Sequence, residues 1–336
     1  MKLATLRNGR PDGQLIVLSS DLARYASAGR IAPTLQAALD AWDAAAPALE
    51  ELARRLDSGD IAASPFDPAL ATAPLPRAYQ RIAGSAYGSH EERLPTRGVT
   101  WPAETAARRP FVAQAFSDWL AGPSQLIELP STDSSADLSA EVAVVVGAVP
   151  ARPTREQALA AIRLVLLCNT LVLRRLLDEP QTPDPTGFQA RPLAAFAPAA
   201  VTPKGLGAAW RQGRLVGPVR VTINDMLFGQ PDAGTDMQFD FADLIVAAAQ
   251  HRPLGSGTIV ASGTVSNRHD ETPPVRREGI GFASIGEART LELAKYGRAR
   301  TPYLKPGDRV RITALDAGER PIFGTIDQLV GGPTKS

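Results

Sequence analysis

The stretch Leu138-Ser139-Ala140-Glu141-Val142-Ala143-Val144-Val145-Val146 decides how the rest of the chain is read. Alternation places Leu138, Ala140, Val142, Val144 and Val146 on one face, and Ser139, Glu141, Ala143 and Val145 on the other. This is the pattern of a strand with one wholly apolar face. The second face carries a serine and a carboxylate two residues apart. Glu141 then has two readings: a solvated carboxylate on an outer face, or one projecting into the mouth of a barrel.

Working outward, strand signals dominate after residue 130. Residues 216–223 and 226–228 flank Asn224-Asp225, a hairpin signal. Residues 309–315 and 321–326 flank the turn Asp316-Ala317-Gly318-Glu319. Towards the N-terminus, residues 3–6 and 14–18 form another hairpin. Thr34 then caps a helix whose Leu35, Leu39, Trp42, Leu49, Leu52 and Leu56 repeat at helical spacing. Pro47 interrupts that pattern and predicts a kink or two shorter helices. Residues 154–177 read as the best helix, with Thr154 and Gln157 at capping-box spacing and an Ala- and Leu-rich interior. Residues 239–250 read as a short one. Pro65, Pro68, Pro74 and Pro76 mark an irregular crossing, which sets a boundary near residue 75. The expected organisation is a small N-terminal domain, 1–75, and a larger one, 76–336. With no regular strand–helix alternation, the fold class is α+β with a mixed or antiparallel, barrel-like sheet.

Composition narrows the function. The 336 residues carry 36 basic and 35 acidic side chains, a net charge of +1, which argues against nucleic-acid binding by bulk charge. Hydrophobic residues at 44% allow a large core without covalent staples. Cys168 is the only cysteine, so intramolecular disulfides and cysteine-based zinc sites are excluded. Only His90, His251 and His269 could build a histidine-rich metal site; oxygen ligands suit any metal better. No signal peptide or apolar run of about 20 residues is visible. The expectation is a cytoplasmic protein with no membrane partner and no nucleic-acid partner.

No G-x-S-x-G elbow, P-loop, H-E-x-x-H or post-strand G-x-G-x-x-G occurs. The glycines of 255–258 and 262–264 lack a phosphate-loop lysine and read as tight turns. His90 lies in the small-residue stretch Gly84-Ser85-Ala86-Tyr87-Gly88-Ser89-His90-Glu91-Glu92. It reads as a general base beside a ligand, or as a surface histidine among carboxylates. Arg174 and Arg175 end the apolar helix, with Arg191 near in sequence. They read as a carboxylate-binding group, or as cations suited to a helix C-terminus.

Taken together, several segments resemble the fumarylacetoacetate hydrolase family over nearly the whole chain. They are residues 84–90, 136–147, 161–176, 187–198, 232–241, 257–267 and 315–328. The resemblance implies a small N-terminal domain and a large β-roll holding the active site, as a homodimer. It implies hydrolysis of carbon–carbon bonds in 1,3-dicarbonyl acids, or decarboxylation, hydration or isomerisation of related oxo acids. It also implies magnesium or calcium held by four carboxylates, and a His–Glu pair that activates water. His90 falls on the family histidine, and Glu287 matches its carboxylate partner. Glu278 competes for that role, because residues 268–277 read as an extended lid. Arg174 falls on a substrate-binding arginine, Arg191 on a carbonyl-polarising lysine, and Thr264 on a threonine of the cleft; Tyr87 and Gln189 complete the substrate-binding set. The metal positions fall on Ala83, Ser139, Glu141 and Thr170, so only Glu141 remains as a carboxylate ligand. The expectation is weak or no metal binding, with Arg174 and Arg191 stabilising the developing enolate of a small oxo acid or dicarbonyl. A divergent lyase, decarboxylase or cyclase stays open, as does a non-catalytic binding protein of the same fold.

Overall fold

The computed structural model describes residues 1–94, 109–131, 134–178, 187–268 and 281–333. The N-terminal part supplies β1 (Lys2–Leu6), β2 (Gln14–Leu18), β3 (Arg24–Ser27) and β4 (Ser64–Pro65), with helices α1 (Leu35–Asp40) and α2 (Trp42–Ser58). Then come β5 (Arg81–Gly84), α3 (Gly88–Arg93), β6 (Val112–Ala115), β7 (Ile127–Glu128), β8 (Ala136–Asp137) and β9 (Ala140–Val146). Next are α4 (Arg155–Ala161), β10 (Ile162–Leu173), α5 (Arg174–Asp178), β11 (Leu193–Phe196), β12 (Ala200–Val201) and α6 (Pro203–Leu206). The chain continues through β13 (Trp210–Arg211), β14 (Arg214–Leu215), β15 (Val219–Ile223), β16 (Met226–Gly229), α7 (Phe241–Ala248) and β17 (Thr258–Thr264). It closes with α8 (Ile285–Tyr296), β18 (Arg309–Ala314) and β19 (Ile326–Gly331).

One large sheet runs β4-β3-β2-β1-β12-β10-β9-β17-β5-β6, with β8 and β11 also paired to β10. Most neighbours are antiparallel, but β17 and β5 are parallel, so the sheet is mixed. β1 pairs with β12 through Lys2↔Val201 and Leu3↔Ala200, so the small N-terminal domain extends the sheet of the large one. A second sheet, β16-β15-β18-β19-β7, carries the C-terminal strands. The α+β class with a mixed sheet is therefore observed. Among the described residues, no helix is long and apolar enough to cross a membrane.

The long helix expected over 154–177 is corrected. Thr154 and Gln157 do form a capping box, but α4 ends at Ala161 and the chain continues as β10. The physical reason lies in Ile162–Leu173, which is largely apolar on both faces, with polar Asn169 and Thr170 near its end, and buried almost throughout. A strand covered on both sides reads as a continuous apolar run, with no period to separate it from a buried helix. Arg174 therefore opens the short α5 instead of ending a helix, and the helix-dipole account of Arg174 falls away, while Arg175 stands in the last turn of α5. β9 is likewise buried on both faces, so Glu141 is not on a solvated surface. Smaller differences occur elsewhere. The helix break falls at Ala41, between α1 and α2, while Pro47 sits inside α2. The second strand of the last hairpin begins only at Ile326, with Leu315 and Pro321 forming an isolated bridge near the turn.

Candidate active site

Four adjacent strands, β10, β9, β17 and β5, deliver a polar group to one place. Arg81 comes from β5, Thr264 from β17, Ser139 and Glu141 from the β9 region, and Thr170 from β10. Neighbouring strands lie about 4.8 Å apart, so β5 and β10 are about 14 Å apart along a flat sheet. Yet Arg81 Nη2 donates to Thr170 Oγ1 at 2.7 Å. One side chain closes that distance only because the sheet curls, and the curl makes the cavity. Its volume is about 730 Å³, and Arg81, His90, Glu141, Arg174, Arg191 and Thr264 are among the residues lining it.

A bulge aims Thr264. The register between β17 and β9 shifts between Ala261 and Thr264, which leaves Thr264 opposite Glu141. Gly263 makes the shift with φ +76°, and a Cβ there would stand 2.4 Å from the Gly84 carbonyl oxygen. Gly263→Ala is expected to lower stability by more than about 1 kcal/mol, since strain and clash act together. A urea titration measures this; an unchanged midpoint would show that the bulge is not constrained.

His90 stands on α3 and Glu287 in the first turn of α8. His90 Nδ1 lies 3.3 Å from Glu287 Oε2, an ion-pair distance whose angle falls short of a well-aligned hydrogen bond. Glu287 is wholly buried and firmly held. Its Oε1 accepts from Ser266 Oγ at 2.6 Å and from Arg93 Nη1 at 3.2 Å, and its Oε2 accepts from Ser284 Oγ at 3.1 Å. Burial pushes its carboxyl up. The facing His90, the Ser266 hydrogen bond and the Arg93 charge outweigh burial and hold it below the usual carboxylate range. On the other side of the ring, His90 Nε2 lies 3.4 Å from Thr264 Oγ1. Thr264 Oγ1 meets Ser139 Oγ at 2.7 Å, and Ser139 Oγ donates to Glu141 Oε1 at 3.0 Å. A continuous polar line thus joins Glu287, His90, Thr264, Ser139 and Glu141.

The remaining candidates are unevenly placed. Arg174 Nε donates to Asp137 Oδ2 at 2.8 Å; the same buried carboxylate accepts from the backbone N–H groups of Ile285 and Gly286, at the start of α8. Arg174 is thereby fixed at the cavity wall. Arg191 also lines the cavity, donating from Nη1 to the Gly187 carbonyl at 3.2 Å. Burial, then the like charge of Arg174, lowers its pKa from the ordinary arginine value. Tyr87 is buried and its hydroxyl donates to the Ala233 carbonyl at 2.6 Å, which commits it to the framework. Gln189 is exposed and does not line the cavity, although Phe188 and Arg191 beside it do. Glu278 lies outside the described residues.

Glu141 is the one carboxylate of its cluster. It is 6% exposed, accepts from Ser139 Oγ, stands opposite Thr264 in the strand register, and its Oε2 stands 4.0 Å from Arg81 Nη2. Among the described residues, no three His, Cys, Asp or Glu side chains gather in a way that could hold a metal ion. Magnesium and calcium need several hard oxygen ligands. A single carboxylate already facing a buried guanidinium does not fit either ion.

Arg81, Arg93, Asp137, Ser266 and Ser284 were missed by sequence reasoning. For Arg81 a signal existed: it lies two residues before Ala83, so the two share a strand face, as Ser139 and Glu141 do. Ser284 also left a signal, standing three residues before Glu287 at helix-capping spacing; Arg93, Asp137 and Ser266 act across longer separations and left no local pattern.

The protein is a mixed α+β roll whose cavity wall carries a His–Glu pair and arginines. The chain belongs to the fumarylacetoacetate hydrolase family: residues 81–330 match the family's fumarylacetoacetate (FAA) hydrolase C-terminal region, and residues 1–77 match fumarylacetoacetase N-terminal domain 2. Solved structures agree in fold. One is the maleylpyruvate hydrolase from Sphingobium sp. SYK-6 in complex with manganese(II) and pyruvate, at 16% identity and a TM-score of 0.65, covering 99% of this chain and 100% of that one. Another is the fumarylacetoacetate hydrolase from the psychrophile Exiguobacterium antarcticum, at 17% identity and a TM-score of 0.65, covering 99% of each chain. A third is the 5-carboxymethyl-2-hydroxymuconate delta-isomerase from Mycobacterium smegmatis, at 16% identity and a TM-score of 0.55, covering all of both. A search of curated proteins finds no match.

Proposed function

We propose that the protein is an enzyme that hydrolyses a carbon–carbon bond in a small 1,3-dicarbonyl or oxo acid, without needing a divalent metal. The observation that carries this reading is the His90–Glu287 pair at 3.3 Å on the wall of a cavity that arginines also line. Glu287 orients the imidazole and balances the positive charge it gains. His90 takes a proton from water, and the resulting hydroxide adds to one carbonyl carbon of the substrate. The bond to the central carbon then breaks, and its electron pair moves onto the second carbonyl as an enolate. His90 returns its proton to that carbon, which restores the resting pair. Arg174 and Arg191 bind the substrate carboxylate and the enolate oxygen as fixed donors. An isomerase would need only the proton transfers. The enzymes named among the structural neighbours support an enzymatic reading at the coarser level.

Turnover of acylpyruvates is the test. Activity is expected to survive EDTA and to gain little from added magnesium. Activity abolished by EDTA and restored by magnesium would overturn the metal-free reading, since hydrolysis would then depend on an ion this donor set does not suit.

A further inference from the structure

We propose that the Arg81 guanidinium is the resident cation of this site, filling the place a divalent ion would need and offering a fixed positive charge to an anionic substrate oxygen. The inference rests on the acid–base reading above and names a group that reading does not use.

Arg81 is 1% exposed, among the largest wholly buried side chains, yet it lines the cavity. A buried charge persists only when it is paired and hydrogen-bonded. Arg81 meets that condition inside the hydroxyl and carboxylate cluster: Nη2 donates to Thr170 Oγ1 at 2.7 Å and lies 4.0 Å from Glu141 Oε2. Its guanidinium carbon also stands 5.8 Å from the centre of the Phe116 ring. The side chain at position 83, on the same face of β5, is only a methyl group, which leaves that face open for Arg81. One negative charge is thus already matched by one permanent positive charge, because arginine does not give up its proton in proteins. A divalent cation would have to share Glu141 with a guanidinium whose Nη2 stands 4.0 Å from the carboxylate.

Two buried atoms point to a ligand in this place. Among the described residues, Arg81 Nε and Glu141 Oε2 have no hydrogen-bond partner. Such groups are costly when left unpaired, and an unpaired donor and acceptor on the two halves of one ion pair suit a polar substrate end. From there the Ser139 and Thr264 hydroxyls lead to His90 Nε2. The positive charge and the acid–base group therefore address neighbouring atoms of one bound molecule.

Two equilibrium measurements test the proposal, so a failure to find turnover would overturn the proposed reaction and leave this inference standing. First, manganese(II) is titrated against the protein and the free ion is followed by paramagnetic resonance. Wild type and Arg81→Lys are expected to leave micromolar manganese free, and Arg81→Met to bind it at least about tenfold more tightly than wild type. Stoichiometric binding by wild type that Glu141→Gln abolishes would overturn the proposal, and so would no gain in a folded Arg81→Met. If Arg81→Met does not fold, wild type and Arg81→Lys decide: exclusion by both supports the proposal, and binding by either overturns it. Second, oxalate is titrated calorimetrically in EDTA. It is expected to bind wild type and to weaken about tenfold in Arg81→Met. Oxalate that binds only with added manganese, or not at all, overturns it.

Discussion

His90→Ala is expected to lower kcat by about 10²–10⁴-fold on any substrate the wild type turns over, the usual contribution of a positioned general base. The fold should tolerate the change. His90 keeps 16% of its side chain exposed, and Glu287 retains Arg93, Ser266 and Ser284 as partners when the imidazole is gone. A similar unfolding midpoint beside the collapse in kcat is therefore the expected pair of results, read by steady-state kinetics and thermal unfolding. A variant that turns over at the wild-type rate would remove His90 from the reaction. If the wild type acts on nothing but still binds oxo acids, and His90→Ala binds them equally well, the chain is a binding protein on an enzyme's fold.

Glu287→Gln is the second large effect, and here stability moves as well. The carboxylate is wholly buried, and Arg93, itself with a side chain only 9% exposed, faces it. Removing one partner of a buried pair leaves the other uncompensated, at a cost of about 3–5 kcal/mol. Urea unfolding at neutral pH measures this. The pH dependence has a definite sign. Glu287 titrates below its ordinary value of 4.5 in the folded protein, so between the two values the unfolded chain binds more protons. Its contribution is fully present above about pH 4.5 and is lost as pH falls through the depressed value. The gap between wild type and variant should narrow in acid. A gap that stays constant down to the acid transition would show that Glu287 is not the linked group.

Local chemistry marked some of this structure and hid the rest. Thr34 and Thr154 announced their helices because a cap is written in adjacent residues. The hairpin around Asn224 and Asp225 was legible for the same reason, and both residues take positive φ. β10 was not legible, because a strand covered on both sides has no polar face to reveal its period. His90 and Glu287 stand almost 200 residues apart and were paired by resemblance; nothing local to either residue indicates that they meet. Arg81 went unread because an arginine opening a strand ordinarily belongs at the surface. Only the curl of the sheet, which needs four strands in place, turns it inward.

The hydroxyls between His90 and Glu141 give the site a direction. Each hydroxyl has a single proton to donate. Ser139 directs its proton to the Glu141 carboxylate, so Thr264 must direct its own to Ser139. Thr264 then turns a lone pair to His90 Nε2 at 3.4 Å, a contact that becomes a hydrogen bond only once Nε2 carries a proton. With its proton on Nδ1 facing Glu287, the neutral ring finds no donor in Thr264 and keeps the Nε2 lone pair for a water or substrate. The polarity at the histidine is thus set from the opposite end, by a carboxylate that never touches it, and the proton that Nε2 takes up meets a waiting hydroxyl oxygen.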